Sequence, residues 1–351
     1  MALDASYFSR TYPWSDIKTE TVDGQSMVWI PKFYYRVHTP TTGTYLGKKC
    51  LEISDGAADG FVLHPAFMKN GAEITGFWVG AYECSTDASD SNKAASIIGK
   101  SPLVSIDFPT MQSRCAARNT GGQSGWHLWN IYELAAIQML CLIELGTPDV
   151  QTAVGSGNSA SSAAVATGSS NAKWRGISEL WGNVWHMVDG FKGSGTTIQI
   201  LDRLGNGTYV NTGASALTSS GYPKDMLDTS GTGFNFNDVF VPKTIDATAS
   251  NGTYGDYCSA ATSNFVCYHG GSWPDGARNG LFTLRLDSGS GNSYMAIGGR
   301  LAKTGPVDDS NSTARRRCAC SRSKTWGPGS DRRGRHTPRR TRSHRGSRRS
   351  Y

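Results

Sequence analysis

The densest run of hydrophobic residues lies at Ile131–Leu145, and its spacing predicts the clearest helix in the sequence. Apolar side chains cover most of the circumference of that helix, so it should be deeply buried. Asn130 is suited to cap the first turn, with Glu133 three residues further on as in a capping box, and Gly146 supplies the end signal. The run is interrupted by charged residues and is too short to cross a bilayer about 30 Å thick, so no membrane span is expected.

A strand pattern occupies Leu281–Asp287 in the C-terminal half of the chain. Every second residue is Phe or Leu, and because side chains alternate between the two faces of a strand, these apolar residues share one face. The opposite face carries Thr283, Arg285 and Asp287. The alternation predicts a half-buried strand that presents small and charged side chains to solvent.

Loops rich in glycine separate these elements. The chain has 42 glycines in 351 residues, which is about 12% against a typical share of roughly 7%. Residues 151–172 are rich in Ser, Ala, Gly and Thr and predict a flexible surface insert or a linker. A shorter helix is predicted at Met111–Arg118. Strands, then two helices, then further strands and long loops are typical of a mixed α+β domain.

Four motifs carry a resemblance to a known family. They are MVWIPKFYYR (Met27–Arg36), GFWVGAYE (Gly76–Glu83), LWGNVWHMVDG (Leu180–Gly190) and the run from GGSW to IGGRLA (Gly270–Ala302). In these motifs the chain resembles a variable protein of a diversity-generating retroelement, of the phage tail receptor-binding type. The resemblance covers residues 22–303 and implies the C-type-lectin-like fold shared with formylglycine-generating enzymes, an α+β domain with two helices, several short antiparallel strands and long loops.

The resemblance also implies where a ligand would bind. In that family a surface patch near the C-terminus, here within residues 270–302, is diversified by adenine-directed mutagenesis, whereas framework residues stay fixed. The run Ser272–Tyr294 contains no Lys, Glu, Gln or Met, residues that such mutagenesis does not readily generate. The implied ligand-binding residues are Ser272, Pro274, Asp275, Arg278, Asn279, Thr283, Arg285, Asp287, Ser288 and Tyr294, with Ser290 as a further candidate.

Host attachment is the function that the resemblance implies. A receptor-binding component of a phage tail tip or fibre would be assembled in the bacterial cytoplasm and carried on the virion. Its expected partners are a host-surface protein or glycan, other virion tail proteins and further copies of itself, since weak contacts gain strength when several copies act together. No cofactor, catalytic residue, membrane partner or nucleic-acid partner is expected.

Two other functions stay open from the sequence. A catalytic relative of formylglycine-generating enzymes would need cysteines between its GGSW-like and GGR-like motifs, where a thiolate binds metal or attacks a substrate. Residues 270–302 contain none, and Cys258 and Cys267 precede them. The histidines are scattered singly, without a pair at helical spacing, so no metal site is predicted. The second alternative is a structural virion protein whose patch binds nothing.

The tryptophans of the motifs admit two interpretations. They could stack on a sugar, but tryptophans in a framework motif are more often core residues with a hydrogen-bonded indole. The core is therefore predicted for Trp181, Trp185 and Trp273. Arg300 is likewise expected to be a buried arginine that satisfies backbone carbonyls instead of a recognition residue.

His186 is predicted to be a structural histidine instead of a ligand or a base. In the resembled family a glutamate often stands at this position, and some members hold a structural calcium nearby through oxygen ligands. The histidine leaves that calcium in doubt here, although Asn183 and Asp189 remain candidate oxygen donors.

Charge is divided unevenly along the chain. The net charge is +7, but residues 304–351 hold 14 Lys+Arg against 3 Asp and carry +11, which leaves −4 for residues 1–303. This last part is poor in apolar side chains, which predicts a disordered basic tail. Such a tail could bind nucleic acid through counterion release, but the abrupt change of composition near Pro306 favours a shifted reading frame. Deletion of residues 306–351 is then expected to leave folding and binding intact.

Residues 1–21 and the cysteines complete the domain organisation. Residues 1–21 form a predicted N-terminal extension, whose apolar side could dock on a partner or on the ligand-binding domain at residues 22–303.

The chain has 8 cysteines but no CxxC pair, so nothing requires a disulfide, which suits a reducing compartment. The sequence MALDASYFSR lacks the basic and apolar regions of a signal peptide, so secretion by that route is not expected.

Overall fold

The computed structural model describes residues 5–309 of the chain. The chain divides into two units, Met1–Asp308 and Asp309–Tyr351. Apart from Asp309, the second unit lies outside the described residues, and so does the predicted disorder of the basic tail beyond that point. Within residues 5–309 the fold class is α+β, as the sequence predicted.

The longest α-helix is the one that the hydrophobic run predicted. The α-helices of residues 5–309 are α1 (Ala5–Phe8), α2 (Phe108–Ala116), α3 (Ile131–Leu145) and α4 (Val150–Ala153). At the start of α3 the Asn130 side chain accepts from the backbone N–H groups of Tyr132 and Glu133, and Gly146 ends the helix with φ 65°. The predicted capping box and end signal are therefore confirmed. None of the helices in this range is long and apolar enough to cross a membrane.

Helix α2 begins three residues before the predicted start at Met111. Asp107 Oδ1 accepts a hydrogen bond from Thr110 N at 2.9 Å and so caps the first turn. Pro109 fits that first turn because its missing N–H would have no partner there. The prediction used apolar spacing alone, which does not register a polar cap followed by proline.

Most strands are short, and nearly all pair antiparallel. In chain order they are β1 (Lys18–Val22), β2 (Gln25–Pro31), β3 (Tyr34–His38), β4 (Cys50–Ser54), β5 (Val62–Leu63), β6 (Met68–Lys69), β7 (Ala72–Glu73), β8 (Gly76–Gly80), β9 (Ser85–Thr86), β10 (Ala94–Ala95), β11 (Trp126–Leu128), β12 (Trp185–Ser194), β13 (Thr197–Leu201), β14 (Tyr209–Ser215), β15 (Tyr222–Met226), β16 (Ser230–Gly231), β17 (Phe234–Asn235), β18 (Pro242–Asp246), β19 (Val266–His269), β20 (Leu284–Arg285), β21 (Ile297–Gly299) and β22 (Leu301–Thr304). Short 3-10 helices span Trp14–Asp16, Pro65–Phe67, Phe236–Asp238, Ala249–Asn251 and Gly276–Arg278.

Two larger sheets organise the domain. The first has the order β1-β2-β8-β22-β11, and the second has the order β14-β13-β12-β19-β20, with β21 parallel to β12. Strand β22 pairs with β8 on one side and with β11 on the other. Because β21 belongs to the second sheet and β22 to the first, the run Ile297–Thr304 joins the two sheets. The C-terminal motif therefore completes a sheet that the N-terminal motifs begin.

One hydrophobic core lies between these elements, and α3 packs against β12 inside it. The first turns of the chain belong to the same core, since Phe8 and Trp14 are buried. Trp14 Nε1 donates a hydrogen bond to Leu140 O of α3 at 3.0 Å. Of the two placements that the sequence left open for the apolar side of residues 1–21, the structure shows packing on the chain's own domain.

Residues 305–308 extend the fold past β22. Thr75 N donates to Pro306 O at 2.9 Å, and Ile74 forms a β-bridge with Val307. The ammonium group of Lys32 makes an ion pair with Asp308, and only 18% and 10% of these two side chains are exposed. Deletion from residue 306 onward would therefore remove buried contacts, which the sequence did not indicate.

We expect a chain that ends after residue 305 to be less stable than one that ends after residue 309. The shorter chain leaves Thr75 N without its carbonyl partner and leaves Lys32 with Glu73 as its remaining carboxylate. The expected loss in the free energy of unfolding is roughly 1–4 kcal/mol, measured by urea denaturation of both chains. Equal unfolding midpoints and slopes would show that these contacts contribute nothing.

Candidate functional site

The predicted patch lies beside a segment that holds its backbone, residues 256–262, here called the support segment. Tyr257 N donates to Arg278 O at 3.1 Å, Ser259 N to Leu284 O at 3.0 Å and Thr262 N to Leu286 O at 2.9 Å. All of these bonds join main-chain atoms. These three attachments therefore do not depend on which exposed side chains the patch carries.

Asp256 strengthens this attachment from beneath the patch. Its carboxylate is fully buried, and Oδ2 accepts a hydrogen bond from Phe282 N at 2.7 Å. Burial raises the pKa of Asp256 well above its ordinary value, because the charged form loses its hydration. Gly280 lies directly against it, and a Cβ at that position would sit 1.9 Å from Asp256 Oδ1. The close approach thus requires glycine at position 280.

The GGSW turn closes the patch at its other end. Gly270 N donates to Thr283 O at 3.1 Å. Gly271 has φ +83°, and a Cβ there would lie 1.7 Å from Asn279 Oδ1. Asn279 is itself buried and donates from Nδ2 to Ser272 O at 2.8 Å. These two predicted ligand-binding residues, Ser272 and Asn279, are therefore joined as part of the turn that shapes the patch.

The ten predicted ligand-binding residues divide by exposure. Those with exposed or partly exposed side chains are Pro274, Asp275, Arg278, Arg285, Asp287 and Tyr294. Those with buried side chains are Ser272, Asn279, Thr283 and Ser288. The further candidate Ser290 is exposed. We call the exposed and partly exposed residues, together with the neighbouring Trp273, the recognition face.

Thr283 departs most clearly from the strand pattern. The sequence placed it on the solvent side, but 1% of the residue is exposed, and its Oγ1 donates to Arg278 O at 2.7 Å. The regular strand here is only β20, Leu284–Arg285. Because the backbone turns at residues 281–283 instead of running straight, the two-residue alternation does not hold at Thr283.

The cationic groups of the recognition face lie over aromatic rings. The guanidinium of Arg278 lies 4.6 Å from the centre of the Tyr257 ring, and that of Arg285 lies 5.9 Å from a Trp185 ring. Arg285 Nε also donates to Asp287 Oδ1 at 2.6 Å. Such contacts orient a long side chain while its charge stays accessible. The face therefore combines positioned charges with exposed apolar surface at Tyr294 and Met295.

Trp273 is partly exposed, so the prediction that all three motif tryptophans lie in the core is wrong for this one. Trp181 and Trp185 are buried as predicted. Trp273 follows the glycine turn onto the surface, where its carbonyl accepts a hydrogen bond from Ser161 N at 3.0 Å. Its ring is available to a ligand beside Pro274.

The serine-rich insert borders the recognition face. Besides the bond from Ser161 N, Gly276 N donates to Ser159 O at 2.7 Å. Residues 151–172, predicted as a flexible surface insert or a linker, thus contact the patch backbone. The insert and the patch are separated by about a hundred residues, and the support segment and the patch by about twenty. Sequence patterns act over shorter distances, so they indicate neither contact.

Beneath the face lies a buried polar group centred on Glu83. Asn183 Nδ2 donates to Glu83 Oε2 at 2.6 Å, and His186 Nε2 lies 3.1 Å from Glu83 Oε1. Burial raises the pKa of Glu83 and lowers that of His186, which favours the neutral forms of both. His186 is thus a structural residue as predicted.

Arg300 fixes the junction between β21 and β22. It is fully buried and donates to the carbonyl oxygens of Gly80, Ser178 and Glu179 at 2.9, 2.7 and 2.7 Å. The predicted role of this arginine, satisfying backbone carbonyls, is confirmed. Because these carbonyls come from separate parts of the chain, one guanidinium links the motif Gly76–Glu83 and residues 178–179 to the sheet junction.

The two candidate calcium donors do not form a site. Asn183 Oδ1 accepts from Val165 N and Asn158 Nδ2. Asp189 accepts from Gly190 N and the Tyr209 hydroxyl through Oδ1. These oxygens are held by N–H and O–H donors, which a calcium ion would have to displace. Across residues 5–309 no group of three or more His, Cys, Asp or Glu side chains could hold a metal ion.

We expect Asp256→Asn to gain stability relative to the unchanged protein as pH rises. The raised pKa means that the folded state holds the proton of Asp256 more tightly than the unfolded state does. The contribution of protonated Asp256 to the free energy of unfolding is therefore full below the unfolded-state pKa and is lost as pH rises through the folded-state pKa. Asparagine keeps a carbonyl acceptor for Phe282 N and does not ionise. The measurement is the difference in free energy of unfolding between variant and unchanged protein at pH 4 and at pH 7.

Asp287→Asn is the matched control, because 41% of that side chain is exposed. The change between the two pH values should be larger for Asp256→Asn than for this control. A change for Asp256→Asn that is no larger than that of Asp287→Asn would contradict the protonated, buried state of Asp256.

No family model and no curated protein matches the sequence. Solved structures do match. The U1 variant of Major Tropism Determinant is 14% identical with a TM-score of 0.33, over 81% of this chain and 64% of that one. Treponema denticola variable protein 1 is 10% identical with a TM-score of 0.36, over 82% and 98%. PvdO from Pseudomonas aeruginosa is 12% identical with a TM-score of 0.29, over 80% and 94%.

This chain therefore spans less than two thirds of the length of Major Tropism Determinant. All of these TM-scores lie below 0.5, so the likenesses carry no argument about function, which must come from the residues of this chain. They do include variable proteins, the kind of protein that the motifs resemble.

Proposed function

We propose that this protein binds a macromolecular ligand through the recognition face. The observation that carries the proposal is the attachment of the patch backbone to the support segment by main-chain hydrogen bonds. A surface built this way tolerates changes in its exposed side chains, because the bonds that attach it to the support segment join main-chain atoms common to all residues. Diversification of the face without loss of the fold is the function that this construction supports best.

The ligand we propose is a host-surface protein or glycan, and the place of action is a phage tail tip or fibre. The motif resemblance supports this assignment. The face itself offers the side chains that dominate protein recognition, with an arginine over an aromatic ring, a partly exposed tryptophan and an exposed tyrosine. Assembly into the virion in the bacterial cytoplasm belongs to the same proposal, as do contacts with other tail proteins.

Several copies acting together would strengthen such binding. The recognition face has six partly or fully exposed predicted residues, and isolated contacts of this kind give weak affinity. Multiple copies raise the effective concentration of the second and later binding events and so increase overall avidity. We therefore include a homo-oligomer, or multiple copies on one virion, in the proposal.

Catalysis is the less favoured alternative. Cys258 and Cys267 are both fully buried, and burial raises the pKa of the Cys258 thiol to about 12. A buried thiol with a raised pKa does not supply the thiolate that attack or metal binding needs. Cys258 Sγ instead donates to Phe282 O at 3.4 Å beneath the recognition face. The proposal accordingly includes no cofactor.

A combined change of Arg278→Ser, Arg285→Ser, Asp287→Asn and Tyr294→Ser tests the recognition face. We expect the free energy of unfolding to stay within about 1 kcal/mol, because exposed ion pairs contribute little. Adhesion should fall at least about tenfold, as expected when central charged and aromatic contacts are lost. The measurement counts beads coated with protein that attach to a panel of bacterial strains.

The control is Asn279→Ala, which removes a buried side chain of the same patch. It should lower the free energy of unfolding by roughly 1–3 kcal/mol, since Ser272 O loses its buried donor. If the combined variant attaches to every strain as strongly as the unchanged protein, the face does not bind the host, and a structural virion protein becomes the better explanation.

Sequencing this gene and its neighbourhood across many individuals of one population tests diversification. We expect substitutions to concentrate at the codons of the exposed residues of Ser272–Tyr294, at adenines of a nearby template copy. The codon of Asp256 should stay unchanged, because its buried carboxylate accepts a hydrogen bond from Phe282 N in the patch. Substitutions spread evenly along the gene, without a template copy, would contradict a diversified binding protein.

A further inference from the structure

A separate cleft of about 590 Å³ opens beside the recognition face. Its walls come from the 3-10 helix Pro65–Phe67, the first turns of α2 and α3, and the strands β12 to β14. The volume lies in the roughly 300–1,000 Å³ range of small-molecule sites. The cleft meets the recognition face at Ser290, whose carbonyl accepts from Phe108 N at 3.0 Å. No residue of the cleft other than Ser290 belongs to the predicted patch.

Carboxylates held in fixed positions line the cleft. Asp189 Oδ2 accepts from Gln112 Nε2 at 2.9 Å, while Oδ1 accepts from the Tyr209 hydroxyl at 2.8 Å. Glu133 Oε1 lies 2.8 Å from His127 Nε2. Asp189 Oδ1 also accepts from Gly190 N, and Glu133 Oε2 accepts from Asn130 N. A carboxylate offers about four acceptor positions, so Asp189 Oδ2, which accepts from Gln112, keeps one position for a ligand.

Donors stand opposite these acceptors. The ammonium of Lys192 lies 3.9 Å from the centre of the Tyr209 ring. A lysine ammonium carries three N–H donors, which the ring face does not use up. The amide of Gln112, the amide of Asn264 and the hydroxyl of Ser290 add groups that both donate and accept. A ligand in the cleft thus meets both donors and acceptors.

The charges around the cleft nearly cancel. Lys69 and Lys192 face Glu133, Asp189 and Asp202. Burial lowers the pKa of His127, but the neighbouring Glu133 carboxylate opposes this effect, and the pKa is raised overall. The raised pKa favours the positively charged imidazolium form. The N–H groups of the first helical turns do not add an anion site, because Asp107 caps α2 and the Asn130–Glu133 box caps α3. A neutral ligand fits this balance better than an ion.

We propose that this cleft binds a neutral saccharide, of roughly one or two rings given its volume. Each sugar hydroxyl both donates and accepts, which matches the donors and acceptors around Asp189, Gln112 and Lys192. Phe108 and Leu201 add apolar groups to the lining of the cleft. The site is independent of the proposed host recognition, since it would bind free sugar whatever the recognition face binds.

Saturation-transfer NMR with the whole chain tests this site. The probes are free glucose, galactose, N-acetylglucosamine, maltose and lactose, each at millimolar concentration. We expect at least one sugar to receive saturation from the protein. Lys192→Met removes the charged donor, and Gln112→Trp fills the cleft from the face of α2. Either change should weaken binding about tenfold or more.

Two control variants separate this site from the rest of the protein. Lys243→Met changes a lysine on β18 that pairs with Asp228 outside the cleft, and sugar binding should stay unchanged. Arg278→Ala changes the recognition face and should also leave it unchanged. Failure of all five sugars to bind would overturn the proposal, as would binding that survives both Lys192→Met and Gln112→Trp. Loss in Arg278→Ala alone would place sugar binding on the recognition face and overturn the cleft site.

Discussion

The structure depends on the main-chain attachment of the patch to the support segment. A buried backbone N–H or carbonyl left without a partner costs about 1–3 kcal/mol, whereas an exposed ion pair such as that of Arg285 and Asp287 contributes about 0–1 kcal/mol. The attachment of the patch to the support segment therefore lies in main-chain atoms, which substitution of exposed side chains does not alter. Exposed side chains can change at small cost, while Asp256, Gly280 and the glycine turn cannot.

Buried polar groups anchor this arrangement to the sheets. Arg300 sits between β21 and β22 and ties three carbonyls from distant parts of the chain to the point where the two sheets join. Glu83 and His186 lie below the GGSW turn. Burial raises the pKa of Glu83 and lowers that of His186, so both side chains favour their neutral forms. Neutral, hydrogen-bonded groups avoid the desolvation cost of buried charges. The buried polar group under the recognition face is consequently rigid.

The recognition face and the cleft illustrate two ways of presenting polar chemistry. On the face, the guanidinium of Arg278 stands over Tyr257 and is open to solvent. In the cleft, Asp189 and Glu133 are fixed by Gln112 and His127 within concave walls. The first suits a large ligand that covers a surface, and the second suits a small one that fills a volume. They meet at Ser290, yet they rest on different elements of the fold.

Sequence alone determined the features that local interactions control. The sequence predicted the capping box, the glycine end and the burial of α3, because helical periodicity and caps act within a few residues. It also predicted the α+β class from the order of the elements, and the structural role of Arg300. The location of the patch between Gly270 and Ala302 came from the resemblance and stays a prediction.

Only the tertiary structure decided which patch residues face solvent. The turn at residues 281–283 buries Thr283, and the glycine turn buries Ser272 and Asn279, although the sequence pattern and the resemblance placed all three on the surface. Contacts across long stretches of chain, such as Ser161 N with Trp273 O, bring the serine-rich insert to the face. Burial and hydrogen-bond partners depend on residues far apart in sequence, and no local pattern contains that information.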